Sequence, residues 1–411
     1  CDEVYSGGKP ILVTLEAQSM MVLDIRIVNG TLVARDWEQS FNDLSNHQVS
    51  PNRLIKDQGK QMAAAAKALY SETIMGADTF HAIPHRLGLF HCRLEKAVVL
   101  AKAKELDRAN RFANTKKYET ALKKEAEWEV AKQNTLQAID NLKRFDEHYF
   151  NMIRQLRPFT SKGVPRDKAS AELIIKQSLE GLALLPIPTL EKQLAHIEGV
   201  LDNGQLLHFM DQVPTIHQDL QQLLEVDTCW LWMLYWQWDK KSYQTHSPKV
   251  YQRAKEEALA AKELLKEHYQ QRYPEEGINH FEAHQKQAFS ALDEIVQASS
   301  LVETFNSILK PFINNARGQV SQELLNLVQF YHNHRVFKRG KRQNKAPIEL
   351  LTGNRLEKHW IDLLMDKIKN AFEQNQVTLV KELHRLICLK KEVVDAKINK
   401  VATLNELKAA A

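Results

Sequence analysis

Residues 1–28 read CDEVYSGGKPILVTLEAQSMMVLDIRIV. In LDIRIV, apolar and polar residues alternate, so Leu23, Ile25 and Ile27 face one way and Asp24, Arg26 and Val28 the other. That is the period-2 pattern of a strand. Residues 10–17 (PILVTLEA) and 20–28 (MMVLDIRIV) therefore read as strands, and Asn29-Gly30 supplies a turn before a third, TLVARDW at 31–37. Strands joined by such short turns imply an antiparallel meander. An acidic pair, Asp2 and Glu3, stands where the first strand begins.

Working outward, residues 37–44 suit a short helix, and Ser50-Pro51-Asn52 breaks it. Leu54-Ile55 reads as a short strand ending at Asp57, followed by Gly59 and an alanine-rich helix. Residues 78–83 (DTFHAI) read as a further strand closed by Pro84. Three strands, helix, strand, helix, strand make a mixed α/β unit.

The pattern changes from about residue 87. Residues 92–150 are nearly free of Gly and Pro, rich in Lys, Glu and Ala, and apolar at three- and four-residue spacing, which predicts a long helix or a helical hairpin. Loops at 161–168, 184–188 and 272–280 divide the rest, with a helix from Pro248 to Tyr269. Helices over 290–315 and 321–332, a basic loop, and a helical end after Thr352-Gly353-Asn354 complete the chain. The expected organisation is 1–90, first part of an α/β core; 91–295, a helical insertion; 296–353, second part of the core; and 354–411, C-terminal helices. The fold class is α/β plus all-α.

At 411 residues, with 44% hydrophobic and 26% charged residues, the chain has the make-up of a soluble globular protein. Its net charge of +5 imposes no global field. Cys1, Cys92, Cys229 and Cys388 form no CxxC pair, which suits unpaired thiols in a reducing, intracellular setting. The apolar run 229–236 is far shorter than the roughly 20 residues of a membrane span. There is no phosphate-binding glycine loop, nucleophile elbow or dinucleotide fingerprint; KRGKRQNK lacks a GK[ST] ending.

Three acids stand out by context: Asp2 on the first strand, Asp57 at a later strand end in IKDQGK, and Glu303 near a helix start in VETFNSILK. Asn306, three residues beyond Glu303, shares its helix face. Hard cations take oxygen ligands, and two Mg²⁺ ions need several carboxylates to space and neutralise them. Any one of 51 acidic residues is ordinarily a solvated surface charge, so order and surroundings carry the signal. Lys310, Arg317, Arg335, Lys338, Arg339, Lys341, Arg342 and Lys345 stand against only two glutamates between 303 and 345, which suits phosphate contacts or a solvated loop.

Asp2, Asp57 and Glu303, together with residues 326–353 (NLVQFYHNHRVFKRGKRQNKAPIELLTG), resemble the acidic triad and closing segment of DDE-type DNA transposases, relatives of retroviral integrases. The likeness covers about residues 1–90 and 296–353. It implies a ribonuclease H-like core, here interrupted because 246 positions separate Asp57 from Glu303, the place where some transposase groups carry a helical insertion. It further implies two Mg²⁺ ions, replaceable by Mn²⁺, on Asp2, Asp57 and Glu303, with Glu294 and Glu323 as fallbacks for the third acid. His81 and Asn306 are candidate supporting residues. The implied activity is strand cleavage and strand transfer on double-stranded DNA, at transposon ends and target, by a homodimer or larger assembly in a prokaryotic cytoplasm, with no membrane partner. The alternatives are a transposase-derived DNA-binding protein without catalysis and a helical scaffold.

Two other groups invite chemistry. Trp230, Met233, Leu234 and Trp238 fall at helical spacing and read as core, with stacking of a tryptophan on an extruded base as the alternative. His81, His85, His91 and Cys92 sketch a zinc site, but Pro84 interrupts the helix that would align them and no second cysteine pair exists.

Overall fold

The computed structural model describes residues 1–56, 59–70, 74–244, 248–297, 300–340 and 342–373. The chain divides into two compact units, one of Cys1–Gln18 and Val22–Leu325, the other of Ser19–Met21 and Asn326–Ala411.

The first unit opens with an antiparallel meander of β1 (Asp2–Ser6), β2 (Lys9–Leu15) and β3 (Val22–Ile27), in the order β1-β2-β3. It starts one strand earlier than the alternation suggested. Ser6 pairs with Lys9 across Gly7 and Gly8, whose φ of 55° and 79° close a two-residue turn that side chains would strain. The expected third strand at 31–37 does not form. Its second half enters α1 (Ala34–Asn46), where Trp37, Ser40, Phe41 and Leu44 recur at helical spacing and are buried. Burying Trp37 and Phe41 outweighs the β-propensity of the few residues before them.

β4 (Arg53–Lys56) and β5 (Ile74–Ala77) pair in parallel, with α2 (Lys60–Leu69) between them in sequence. The Cys1 nitrogen donates to the Ile55 carbonyl at 3.0 Å, which sets the start of β1 alongside β4. Residues 78–83 are not a strand, contrary to expectation. Asp78, almost fully buried, accepts from the Phe80 and His81 amides at 2.8 and 3.0 Å and caps the short helix α3 (Thr79–Ala82). Pro84 then sits in the first turn of α4 (Pro84–Ala113), where its missing N–H costs nothing.

The register assigns the two faces of the meander. Asp2 pairs with Val13 and Val13 with Ile25; Glu3 pairs with Leu12 and Leu12 with Arg26. Directly paired residues point to the same side, so the two rows face opposite ways. On the Glu3 side lie α1 and α2: Glu3 accepts from Trp37 Nε1 at 3.1 Å, Arg26 pairs with Asp43 at 2.6 Å, and Leu12, Trp37, Phe41, Met62 and Ala65 share a core.

α4 and α5 (Tyr118–Gln155) form the expected helical hairpin. Beyond it run α6 (Lys168–Ala183), α7 (Leu190–Asp202), a 3-10 turn (His208–Asp211), α8 (Val213–Leu223), α9 (Val226–Gln244), α10 (Pro248–Arg272) and α11 (Gly277–Leu292). One large core unites these helices and also takes in Ala77, Ala82 and Ile83. The tryptophan run is part of it, but with a shifted phase. Trp232, Met233 and Trp236 are buried whereas Trp230 is 43% exposed, because α9 is enclosed by α10 and α11 over more than one stripe. The helix expected over 290–315 is two, α11 and α12 (Ser300–Asn315).

α13 (Gln322–His334) leads into the second unit, which adds α14 (Pro347–Thr352) and α15 (Trp360–Glu373). Leu364 and Ile368 pack there against Leu327, Phe330 and Trp360. Gly353, at φ 74°, ends α14 at the expected break. The fold is thus predominantly helical with a small sheet. Among the described residues no helix is long and apolar enough to cross a membrane.

Candidate active site

The acidic pair at the start of β1 splits between the two faces. Glu3 is taken up by Trp37 under α1. Asp2, one residue earlier, points the other way, and its Oδ2 accepts from Asn306 Nδ2 at 2.6 Å across 304 positions of sequence. Its Oδ1 accepts from the Glu3 amide at 2.8 Å.

Asn306 reaches β1 because α12 is strongly one-sided. Val302, Phe305, Asn306, Leu309 and Ile313 are buried and the helix packs on β1 and β2. Asn306 is the polar member of that face, 5% exposed, and its amide is matched to the carboxylate of Asp2 rather than to an apolar neighbour. Glu303 lies one turn earlier, at the rim of the same face, with its side chain 48% exposed. The acid and the amide therefore divide the work of one helix turn: one faces solvent, the other docks.

Glu303 is held from α3, the short helix at the position of the expected strand. His81 Nε2 lies 2.7 Å from Glu303 Oε1. The Asp78 cap fixes the backbone that carries His81, and that cap is tied down in turn: the Asp78 amide donates to the Lys56 carbonyl at 3.2 Å, and the Thr79 amide to Gln297 at 3.0 Å. Thus the end of β4, the start of α3 and Gln297, ahead of α12, converge through backbone bonds. Asp57 itself, which follows Lys56, lies outside the described residues. The two fallback acids are exposed elsewhere: Glu294 in the turn after α11, and Glu323 in the first turn of α13, where Ser321 hydrogen-bonds it and holds its carboxyl below the usual range.

The basic residues fall in two places. Lys310 on α12 and Arg317 just after it are exposed members of the first unit. The others belong to the second unit, on a closed turn: the Phe337 amide donates to Lys345 at 3.0 Å, and the Asn344 amide to Phe337 at 2.9 Å. Gly340 and Asn344, both at positive φ, allow the tight path. Lys338, Arg339 and Lys345 are exposed on this turn and Arg342 is half-buried; Lys341 lies outside the described residues. Arg335, at the turn's root, lies over the rings of Tyr331 and Phe337, 5.3 and 6.0 Å from their centroids.

No known protein family, curated protein or solved structure matches this chain.

The sequence reading missed the roles of Glu3 and Asp78. Gly7-Gly8 between strand-like residues was the signal for β1, and hence for the opposite facing of Asp2 and Glu3. Asp78-Thr79 ahead of a Pro84 helix start was the signal for a cap.

Proposed function

We propose that the chain is the catalytic region of a DDE-type DNA transposase, with Asp2, Asp57 and Glu303 as its acidic triad and Mg²⁺ as its cofactor. The observation that carries this reading is the Asn306–Asp2 hydrogen bond. It joins β1 to the helix turn that bears Glu303, two points at opposite ends of the α/β portion of the sequence. A three-strand meander, β1 set beside β4, and α3 after β5 also suit the ribonuclease H-like arrangement that the acids suggest.

The donor set fits a hard cation: carboxylate oxygens from two elements, one side chain half-exposed, the other steadied by Asn306 Nδ2. When bound, Mg²⁺ would supply activation of an oxygen nucleophile and stabilisation of the leaving oxygen. The chain's own contribution is positioning. Asn306 holds Asp2 in one orientation, and His81 holds Glu303 at the solvent edge. The exposed lysines and arginines after α13 offer the charge to grip phosphates, adding affinity without sequence choice.

The test uses the full chain, a supercoiled plasmid and either Mg²⁺ or Mn²⁺. Metal-dependent nicking is expected, and Glu303→Gln and Asp57→Ala should each abolish it while leaving plasmid retardation in a gel intact. Equal nicking by the wild type and Glu303→Gln sinks the assignment. Retardation without nicking by the wild type favours a DNA-binding protein that has lost catalysis.

A further inference from the structure

One group of potential metal ligands lies on the α4–α5 hairpin. His91, Cys92 and Glu95 occupy one turn of α4, and one ligand atom from each falls within 4.8 Å of the others. His91 Nδ1 is 3.7 Å from Glu95 Oε2, and the other ring nitrogen, Nε2, is 3.0 Å from Asp146 Oδ1 on α5. The imidazole is half-buried and stacks on Tyr149, with centroids 5.8 Å apart and planes at 25°. Cys92 and Glu95 are exposed. Pro84, which seemed to interrupt a histidine cluster, stands in the first turn of α4, so the helix is continuous where these residues lie.

We infer that His91, Cys92 and Glu95 form a binding site for a borderline divalent transition-metal ion of the Zn²⁺ type, with Asp146 as the residue that orients His91. The donor set is one nitrogen, one sulfur and one carboxylate oxygen, which selects Zn²⁺ or Co²⁺ over Mg²⁺ and Ca²⁺. Asp146 lies where a second carboxylate holds a ligating histidine: close to Nε2, it keeps the proton there and turns the Nδ1 lone pair toward Cys92 and Glu95. Asp146 Oδ1 is shielded from water and Glu95 lies beside the other ring nitrogen, so two carboxylates face one imidazole that, when neutral, does not balance them. A bound cation balances it. The ligands all come from α4, while Asp146 and Tyr149 come from α5, so the site sits where the two helices of the hairpin meet. The competing state is metal-free: an imidazolium bridging Glu95 and Asp146.

Titration of the full chain with Co²⁺ alone separates the two, independently of any DNA activity. The site predicts one equivalent bound with a thiolate-to-cobalt charge-transfer band, retained in excess Mg²⁺ and bleached by Zn²⁺. Cys92→Ser, a change at an exposed position that leaves the helical circular dichroism unaltered, should lose the band. Asp146→Asn should keep the band and weaken binding about 10–100-fold. A band of unchanged intensity in Cys92→Ser, which would place the thiolate elsewhere, overturns the assignment. So does the absence of any Co²⁺-dependent band in the wild type.

Discussion

Asn306 and Glu303 are three residues apart on one helix, yet their surroundings give them different tasks. Burial obliges Asn306 to find a polar partner, and Asp2 is the group that meets it. Glu303, at the rim, keeps water access and is steadied by His81. Histidine serves a different purpose in the second unit. His332 is fully buried, and its Nε2 donates to the Met20 carbonyl at 2.8 Å. Burial lowers its pKa to about 4 from the usual 6.5 of a histidine, and the nearby Arg335 charge acts in the same direction. The folded state thus resists protonation more than the unfolded chain does. Its contribution to stability is complete above about pH 6.5 and is lost as pH falls toward 4, about 3 kcal/mol over the whole interval. Urea midpoints measured between pH 4 and 7 should fall with acid in the wild type and show a shallower slope in His332→Gln. Parallel slopes would remove His332 as the cause.

At the scale of elements, the α/β part depends on close approaches that single side chains permit. β5 runs against the 3-10 turn at His208, and a Cβ added at Gly76 would lie 2.5 Å from His208 Nε2. His208 has no exposed surface through which to retreat. Gly76→Ala should therefore destabilise the first unit by about 1–3 kcal/mol, read from denaturant unfolding. Since β5 leads into Asp78 and His81, the same variant should lose more metal-dependent nicking than its stability loss accounts for. Unchanged stability would show that the ring can move aside. The sequence pattern identified the strand before α2 and the α4–α5 hairpin, because a short apolar run and a long 3.6-residue period are local signals. It misassigned residues 31–37, where burial of Trp37 against residues distant in sequence decides the conformation, and 78–83, where the local Asp78 cap and distant backbone bonds to Lys56 and Gln297 outweigh the strand-like pattern.

For the whole molecule, the charge that matters is concentrated rather than net. With +5 over 411 residues, the DNA affinity proposed for this chain would have to come from local clusters. If Lys338, Arg339 and Lys345 each contact a phosphate, the triple alanine variant should lower the slope of log binding constant against log salt by about 3, close to 0.9 per contact. Fluorescence anisotropy on a short duplex at several salt concentrations measures it, and an unchanged slope would assign these residues to a solvated surface. By itself the sequence determined the α/β-then-helical order, the amphipathic faces and the residue types that can carry chemistry, because these follow from local periodicity and composition. Only the tertiary structure decided that Asp2 rather than Glu3 meets Asn306, that His81 meets Glu303, and that His91 meets Asp146. Each of these pairings joins residues far apart along the chain. Each is set by strand register and by which helix face is buried, properties that no single segment contains.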